Sequence, residues 1–257
     1  MAYLKPKNIY GKTYWYVVES RRVNGQIKTV NLAYLGKADD ILSRWQQLST
    51  PKDCLKSYSH VIIIHENRGL NDHIKDVTRR MALAGFLAVA PDALSPLGGT
   101  PEDSNEARSR LRELDTQDTI KNFVAAVQYL KTHPLSTGKV GCTGFCWGGG
   151  MANQVVVRSP DLSAAVPFYG RQPASEDVPK IKSSLLLHYA GLDKRINAGI
   201  KAFEAALKKA SVDYKIYMYE GAGHAFFNDT SESRYHKAAA QLAWKRTIEF
   251  FNKKLKT

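Results

Sequence analysis

The chain has 257 residues, enough for one α/β domain with a full hydrophobic core. Its 44% hydrophobic and 24% charged residues are ordinary for a globular protein, and no run of about eighteen apolar residues marks a membrane span. The formal net charge is +13, and residues 1–60 hold ten Lys/Arg against four Asp/Glu, so the N-terminal segment is disproportionately basic.

Residues 1–58 have their own character. Thr13–Val18 and Ile27–Leu32 are aromatic and β-branched, and the turn dipeptide Asn24-Gly25 lies between them. This pattern predicts a β-hairpin closed by Gly36, then a short helix over Ala38–Gln47. Pro51 and its polar neighbours read as a linker. The expected division is therefore a basic N-terminal part at 1–50 and a second domain at 51–257. Met1–Tyr10 lacks the apolar core of a secretory signal, and polar residues follow Arg21-Arg22, so a cytoplasmic location is expected.

From Ser59 onward, short apolar runs alternate with amphipathic stretches. Strands are predicted at Ser59–His65, Phe86–Ala90, Lys139–Thr143, Ala164–Phe168, Ser184–Tyr189 and Tyr214–Tyr219. Helices are predicted at Asn71–Leu83, around Ile120–Leu130, from about Gly149 to Val157, at Ile200–Ala210 and at Tyr235–Phe251. Continuous apolar strands separated by helices predict an α/β fold, a mostly parallel sheet with helices on both faces.

The sharpest motif is Gly144-Phe145-Cys146-Trp147-Gly148, directly after the strand Lys139–Thr143. It has the form of a nucleophile elbow with cysteine in place of serine, where small flanking residues accommodate a strained strand-to-helix turn. The following helix aims its N-terminus at the thiol, which favours a thiolate. Cys142 reads as a small buried side chain, and Cys54 carries no signal. An odd count of three cysteines fits a reducing compartment.

A thiol needs a base, and the base needs an orienter. Asp193 follows the strand Ser184–Tyr189, and His224 follows Tyr214–Tyr219 on a glycine-flanked loop. Both fall just past strand C-termini, in the order nucleophile, acid, histidine. The other histidines fall in or beside strands (His60, His65, His188) or in helices or at their ends (His73, His133, His236). No metal site is expected, because neither an H-x-x-x-H pair nor a C-x-x-C is present. No cofactor is expected.

From about Val61 onward the chain resembles the dienelactone hydrolase family (carboxymethylenebutenolidase-like). The matching stretches are His65-Glu66-Asn67-Arg68-Gly69-Leu70-Asn71, Ala90-Pro91-Asp92, Gly144–Gly149, Gly191-Leu192-Asp193 and Gly223-His224-Ala225-Phe226. The resemblance implies an α/β-hydrolase fold and a Cys146–His224–Asp193 triad. It adds Glu66, whose family counterpart contacts the resting thiol and helps generate the thiolate. It also assigns the oxyanion hole to the backbone N–H groups of Asn67 and Trp147. Family members that cleave dienelactone hold its carboxylate with two arginines, but Asn228 and Ala93-Leu94-Ser95-Pro96 stand at those places here. Arg68 and Arg171 are candidate replacements, since guanidinium grips carboxylate in bidentate fashion. Tyr14–Gly36 is instead similar to the N-terminal segment of some insertion-sequence transposases.

The expected activity is hydrolysis of a small ester or lactone, without membrane or nucleic-acid partners. A non-catalytic ligand-binding protein of this fold, or a nucleic-acid-associated protein acting through the basic hairpin, are the alternatives.

Overall fold

The computed structural model describes residues 2–9, 12–23, 26–37 and 57–256. The chain divides into two compact units, Met1–Lys56 and Ser57–Thr257. In the first, β1 (Ala2–Ile9), β2 (Lys12–Val23) and β3 (Gln26–Lys37) form an antiparallel sheet in the order β1-β2-β3. The β2–β3 pair, with Val23 opposite Gln26, is the predicted hairpin with longer arms. Strand β1 lies ahead of the predicted hairpin and contains Pro6, a residue that argues against a strand interior. It is tolerated here because β1 lies at a sheet edge. The predicted turn at Asn24-Gly25, the helix over Ala38–Gln47 and the linker at Pro51 lie outside the described residues.

The second unit is built on β4 (Tyr58–Ile64), β5 (Leu87–Val89), β6 (Ser136–Phe145), β7 (Ala164–Phe168), β8 (Ser184–Ala190) and β9 (Tyr214–Tyr219). All neighbours in this sheet run parallel, in the order β5-β4-β6-β7-β8-β9. Parallel strands need crossovers, and the helices supply them. These are α1 (Asp72–Leu83), α2 (Ser104–Arg110), α3 (Thr116–Thr132), α4 (Trp147–Arg158), α5 (Lys194–Asn197), α6 (Ile200–Lys209) and α7 (Lys237–Leu255).

The two-residue period of β4 sorts its side chains between two cores. Val61 and Ile63 pack with Ile74, Val77 and Met81 of α1 and with Ala243, Phe251 and Leu255 of α7. Ile62 and Ile64 face the opposite layer, with Ile120, Phe123 and Val127 of α3, Val155 and Val156 of α4, and Phe203 and Leu207 of α6. Each aliphatic side chain buried this fully contributes about 1.5–3 kcal/mol. The helix starts are capped as their sequences dictate: Asn71 accepts the Ile74 N–H at 3.1 Å, and Asp115 accepts the Asp118 N–H at 2.8 Å.

Helix α2 escaped the periodicity reading because only Ala107 of its seven residues is buried. Strand β6 begins three residues earlier than predicted, since Ser136 pairs with Tyr58 ahead of an irregularity that ends where Val140 pairs with His60. Among the described residues, no helix is long and apolar enough to cross a membrane.

Candidate active site

Residues of interest gather at the C-terminal edge of the sheet, where parallel α/β folds collect ligands. Four strands deliver them. β6 ends at Cys146, the loop after its neighbour β4 carries Glu66 and Asn67, β8 leads to Asp193, and β9 leads to His224.

Cys146 sits between β6 and α4 with φ 56° and ψ −112°. A non-glycine residue in this region is strained, as expected of an elbow that pushes one side chain out of the chain's path. Its backbone is clamped on both sides: Cys146 N–H donates to the Phe168 carbonyl, and the Cys146 carbonyl accepts from Gly150 N–H, both at 3.1 Å. The flanking glycines are required by contact. A Cβ on Gly144 would lie 2.1 Å from the Gly148 carbonyl oxygen. One on Gly148 would lie 2.3 Å from the carbonyl oxygens of both Ile64 and His65. The elbow and the loop after β4 therefore meet backbone to backbone.

The loops after β8 and β9 are stitched together in the same way. Gly191 N–H donates to the Tyr219 carbonyl at 2.8 Å, and Leu192 N–H to the Ala222 carbonyl at 3.0 Å. This brings Asp193 Oδ2 against His224 Nδ1 in a short hydrogen bond, while His224 Nε2 lies 3.0 Å from Cys146 Sγ. Asp193 is buried, and its Oδ1 accepts the Ile196 N–H at 3.3 Å, which aims the carboxylate. The structure thus brings together the three side chains that the sequence singled out.

Glu66 is also buried there, but it does not hydrogen-bond the thiol as its family counterpart would. Its Oε2 accepts from Asn228 Nδ2 at 2.7 Å, and its Oε1 accepts from the Tyr169 hydroxyl at 3.5 Å. Burial, reinforced by the Glu66 carboxylate, pushes the Cys146 thiol up to about 11 against the pull of the Trp147 N–H. The resting sulfur is therefore a thiol at neutral pH. The helix N-terminus does pull toward the thiolate, as expected, but desolvation outweighs it here. Tyr169 is fully buried, and burial together with Glu66 raises its phenol well above the usual range, so it remains a neutral donor.

A cavity of about 780 Å³ opens over Cys146 and His224, and Asn67, Trp147 and Tyr169 also line it. Arg171 stands on its wall, whereas Arg68 is exposed and is not among the lining residues. Arg195, two residues after Asp193, also lines the cavity, and its charge favours the Cys146 thiolate. Sequence reasoning missed Arg195 and Tyr169. Arg195 stands in a charged Asp193-Lys194-Arg195 run that reads as a solvated loop. Tyr169 is 103 positions from Glu66 in the chain. Among the described residues, no group of three or more His, Cys, Asp or Glu is arranged to hold a metal ion.

A six-stranded parallel sheet flanked by helices, with a strained turn between strand and helix opening into a cavity, defines an α/β-hydrolase fold. The sequence model of the dienelactone hydrolase family matches residues 47–255, and the chain belongs to that family. A "putative carboxymethylenebutenolidase" of Saccharolobus solfataricus is 36% identical over 231 residues, covering 75% of this chain and 88% of that protein. Among solved structures, a dienelactone hydrolase-like promiscuous phosphotriesterase from metagenomic libraries superposes with a TM-score of 0.70 at 20% identity, over 99% of this chain and 98% of the other. The dienelactone hydrolase of Anabaena variabilis gives a TM-score of 0.61 at 18% identity, over 99% and 98%. These two likenesses bear on the fold. Membership of the family makes the chain a hydrolase.

Proposed function

We propose that this hydrolase cleaves small carboxylic esters or lactones through Cys146, with His224 as base and acid and Asp193 as its orienter. The observation that carries the reading is the His224 imidazole bridging Cys146 Sγ at 3.0 Å and the Asp193 carboxylate. The Sγ–H proton passes to His224 Nε2 as sulfur bonds to the substrate carbonyl carbon, and the carbonyl π pair moves onto oxygen. The N–H groups of Asn67 and Trp147 receive that oxyanion. On collapse the C–O bond breaks, and the alkoxide leaves with the proton from His224. Water, deprotonated by His224, then adds to the thioester. The acid departs, and the thiolate recovers its proton.

In the resting site Glu66 opposes the thiolate, unlike the thiolate-generating role that the family resemblance implied. Its charge holds the thiol protonated until substrate displaces the carboxylate. Arg171 and Arg195 on the cavity wall favour substrates that carry a free carboxylate besides the ester, and Arg68 is not assigned that role. The expected partner is a small molecule, with neither nucleic acid nor membrane, and the expected location is the cytoplasm.

The test is a panel of lactones and short esters, with and without a free carboxylate, run on wild type and Cys146→Ala. The variant is expected to lose at least about a thousandfold in kcat/KM while keeping its fold. Wild type quenched in mid-reaction is expected to carry the acyl group on the Cys146 peptide by mass spectrometry. Full activity in Cys146→Ala would refute the mechanism, and absence of any burst or turnover would favour a ligand-binding protein.

A further inference from the structure

His65 has a full set of contacts that the mechanism above does not use. It is completely buried beside the site, just after β4. Its Nδ1 lies 2.7 Å from the carbonyl oxygen of Glu66, and its Nε2 accepts the Ala93 N–H at 3.1 Å. An N–H donor at Nε2 requires a lone pair there, so the ring is neutral and its proton is on Nδ1, donated to the Glu66 carbonyl. The ring also stacks on the Trp147 indole, with centroids 5.3 Å apart and planes 15° from parallel.

These contacts bear on both proposed oxyanion donors. The described peptides are all trans, so the Glu66 C=O and the Asn67 N–H point in opposite directions. With the carbonyl held by His65, the Asn67 N–H is turned away from the ring, and Asn67 lines the cavity beside Cys146 and Trp147. The second donor belongs to Trp147, whose side chain rests on the same ring. Gly148, the next residue, touches the backbone of Ile64 and His65.

The far side of the ring is braced too. Ala93 N–H belongs to a loop in which Asp92 accepts from Leu94 N–H at 2.9 Å, Thr100 N–H at 2.7 Å and the Thr100 hydroxyl at 2.9 Å. The Thr100 hydroxyl oxygen in turn accepts the Leu70 N–H at 2.8 Å, closing the loop after β4 onto the same brace.

We propose that His65 is a positioning residue for the oxyanion hole: it fixes the Glu66–Asn67 peptide plane by hydrogen bond and the start of α4 by stacking on Trp147. This rests on Cys146 being the nucleophile and on Asn67 and Trp147 being the donors. His65 itself touches neither substrate nor sulfur. Its contribution falls in the transition states of acylation and deacylation, where negative charge builds on the carbonyl oxygen, and not in substrate binding.

Two substitutions separate the ring's halves. His65→Asn sets an amide N–H where Nδ1 stands and can still grip the Glu66 carbonyl. His65→Gln sets an amide oxygen where Nε2 stands and can meet Ala93 N–H, but it presents no donor at the Nδ1 position. The substrate is 4-nitrophenyl acetate, and the control reaction is alkylation of Cys146 by iodoacetamide, followed on the Cys146 peptide. Alkylation at a saturated carbon generates no oxyanion, so it reads the thiol and His224 alone.

The expected result is a kcat about a hundredfold lower in His65→Gln with little change in KM, and a loss no larger than about tenfold in His65→Asn. Both variants are expected to alkylate at the wild-type rate. The proposal is overturned if His65→Gln equals or exceeds His65→Asn, or if alkylation falls in step with acylation. Cys146→Ala, measured alongside, keeps the two readings apart. If it remains active, the nucleophile assignment falls. If it is inactive while His65→Gln turns over like wild type, only the role of His65 falls.

Discussion

At Cys146 the competing influences on one sulfur atom can be read separately. Burial and the Glu66 carboxylate raise its pKa, and the Trp147 N–H and Arg195 lower it. Burial ranks first, so the helix start does not decide the protonation state. Removing the Glu66 charge while keeping its shape leaves desolvation but deletes the repulsion. Glu66→Gln is therefore expected to lower the thiol pKa. The rate of iodoacetamide alkylation at Cys146 should rise at lower pH than in wild type, and a titration from pH 7 to 11 measures the shift. An unchanged or upward-shifted profile would show that Glu66 does not oppose the thiolate. The same substitution places an amide where Asn228 and Tyr169 both donate, so some stability loss is expected from unpaired or misaligned donors.

The site residues differed in how legible they were. Cys146, Asp193 and His224 each lie past an apolar strand next to glycines, and that local pattern is visible in one dimension. Tyr169 and Asn228 meet Glu66 from 103 and 162 positions away, and no local pattern encodes that meeting. His65 was read as a strand flank because its ring bonds to main-chain atoms, which leave no sequence trace.

At the scale of elements, the contact between the elbow and the loop after β4 governs how close Cys146 stands to the Asn67 peptide. Gly148→Ala is expected to force these segments apart, since its Cβ would overlap two carbonyl oxygens that cannot move independently of β4. The expected outcome is a loss of about 1–3 kcal/mol in stability, read by denaturant titration, with a larger fractional fall in kcat than in folded population. Normal turnover in a folded Gly148→Ala protein would show that the two segments tolerate separation. Periodicity found every strand of the larger sheet because each carries an apolar run, and it missed the start of β6, which does not. It found α1, α3, α4, α6 and α7 because each buries a stripe. It missed α2, whose start is set by Asp103 accepting the Asn105 and Glu106 N–H groups at 2.8 and 2.7 Å, and not by burial.

Across the whole molecule, histidines buried without charge set the acid limit of stability. His188 lies inside the sheet, between the Tyr219 hydroxyl at 2.9 Å and the Thr247 hydroxyl at 3.1 Å. Burial, with Arg246 nearby, lowers its pKa to about 3. His60 and His65 are lowered in the same direction, chiefly by burial. The unfolded chain takes up a proton at His188 near pH 6.5, while the folded chain refuses it until about pH 3. Stability present above pH 6.5 is therefore lost as pH falls through that window, at about 1.4 kcal/mol per pH unit for this residue. Thermal denaturation between pH 7 and 4 is expected to show a steadily falling Tm. His188→Gln is expected to start lower at pH 7 but to decline less steeply. Equal slopes for the two proteins would remove His188 from the account.

The turn that carries Cys146 into the cavity is main chain pressed on main chain at Gly144, Gly148, Ile64 and His65, whereas Arg171 and Arg195 on the cavity wall are exposed side chains. The two layers can drift apart over evolutionary time. Exchanging the wall residues retunes which molecules are admitted and leaves the reactive machinery undisturbed, so a lineage can change diet without reinventing its chemistry.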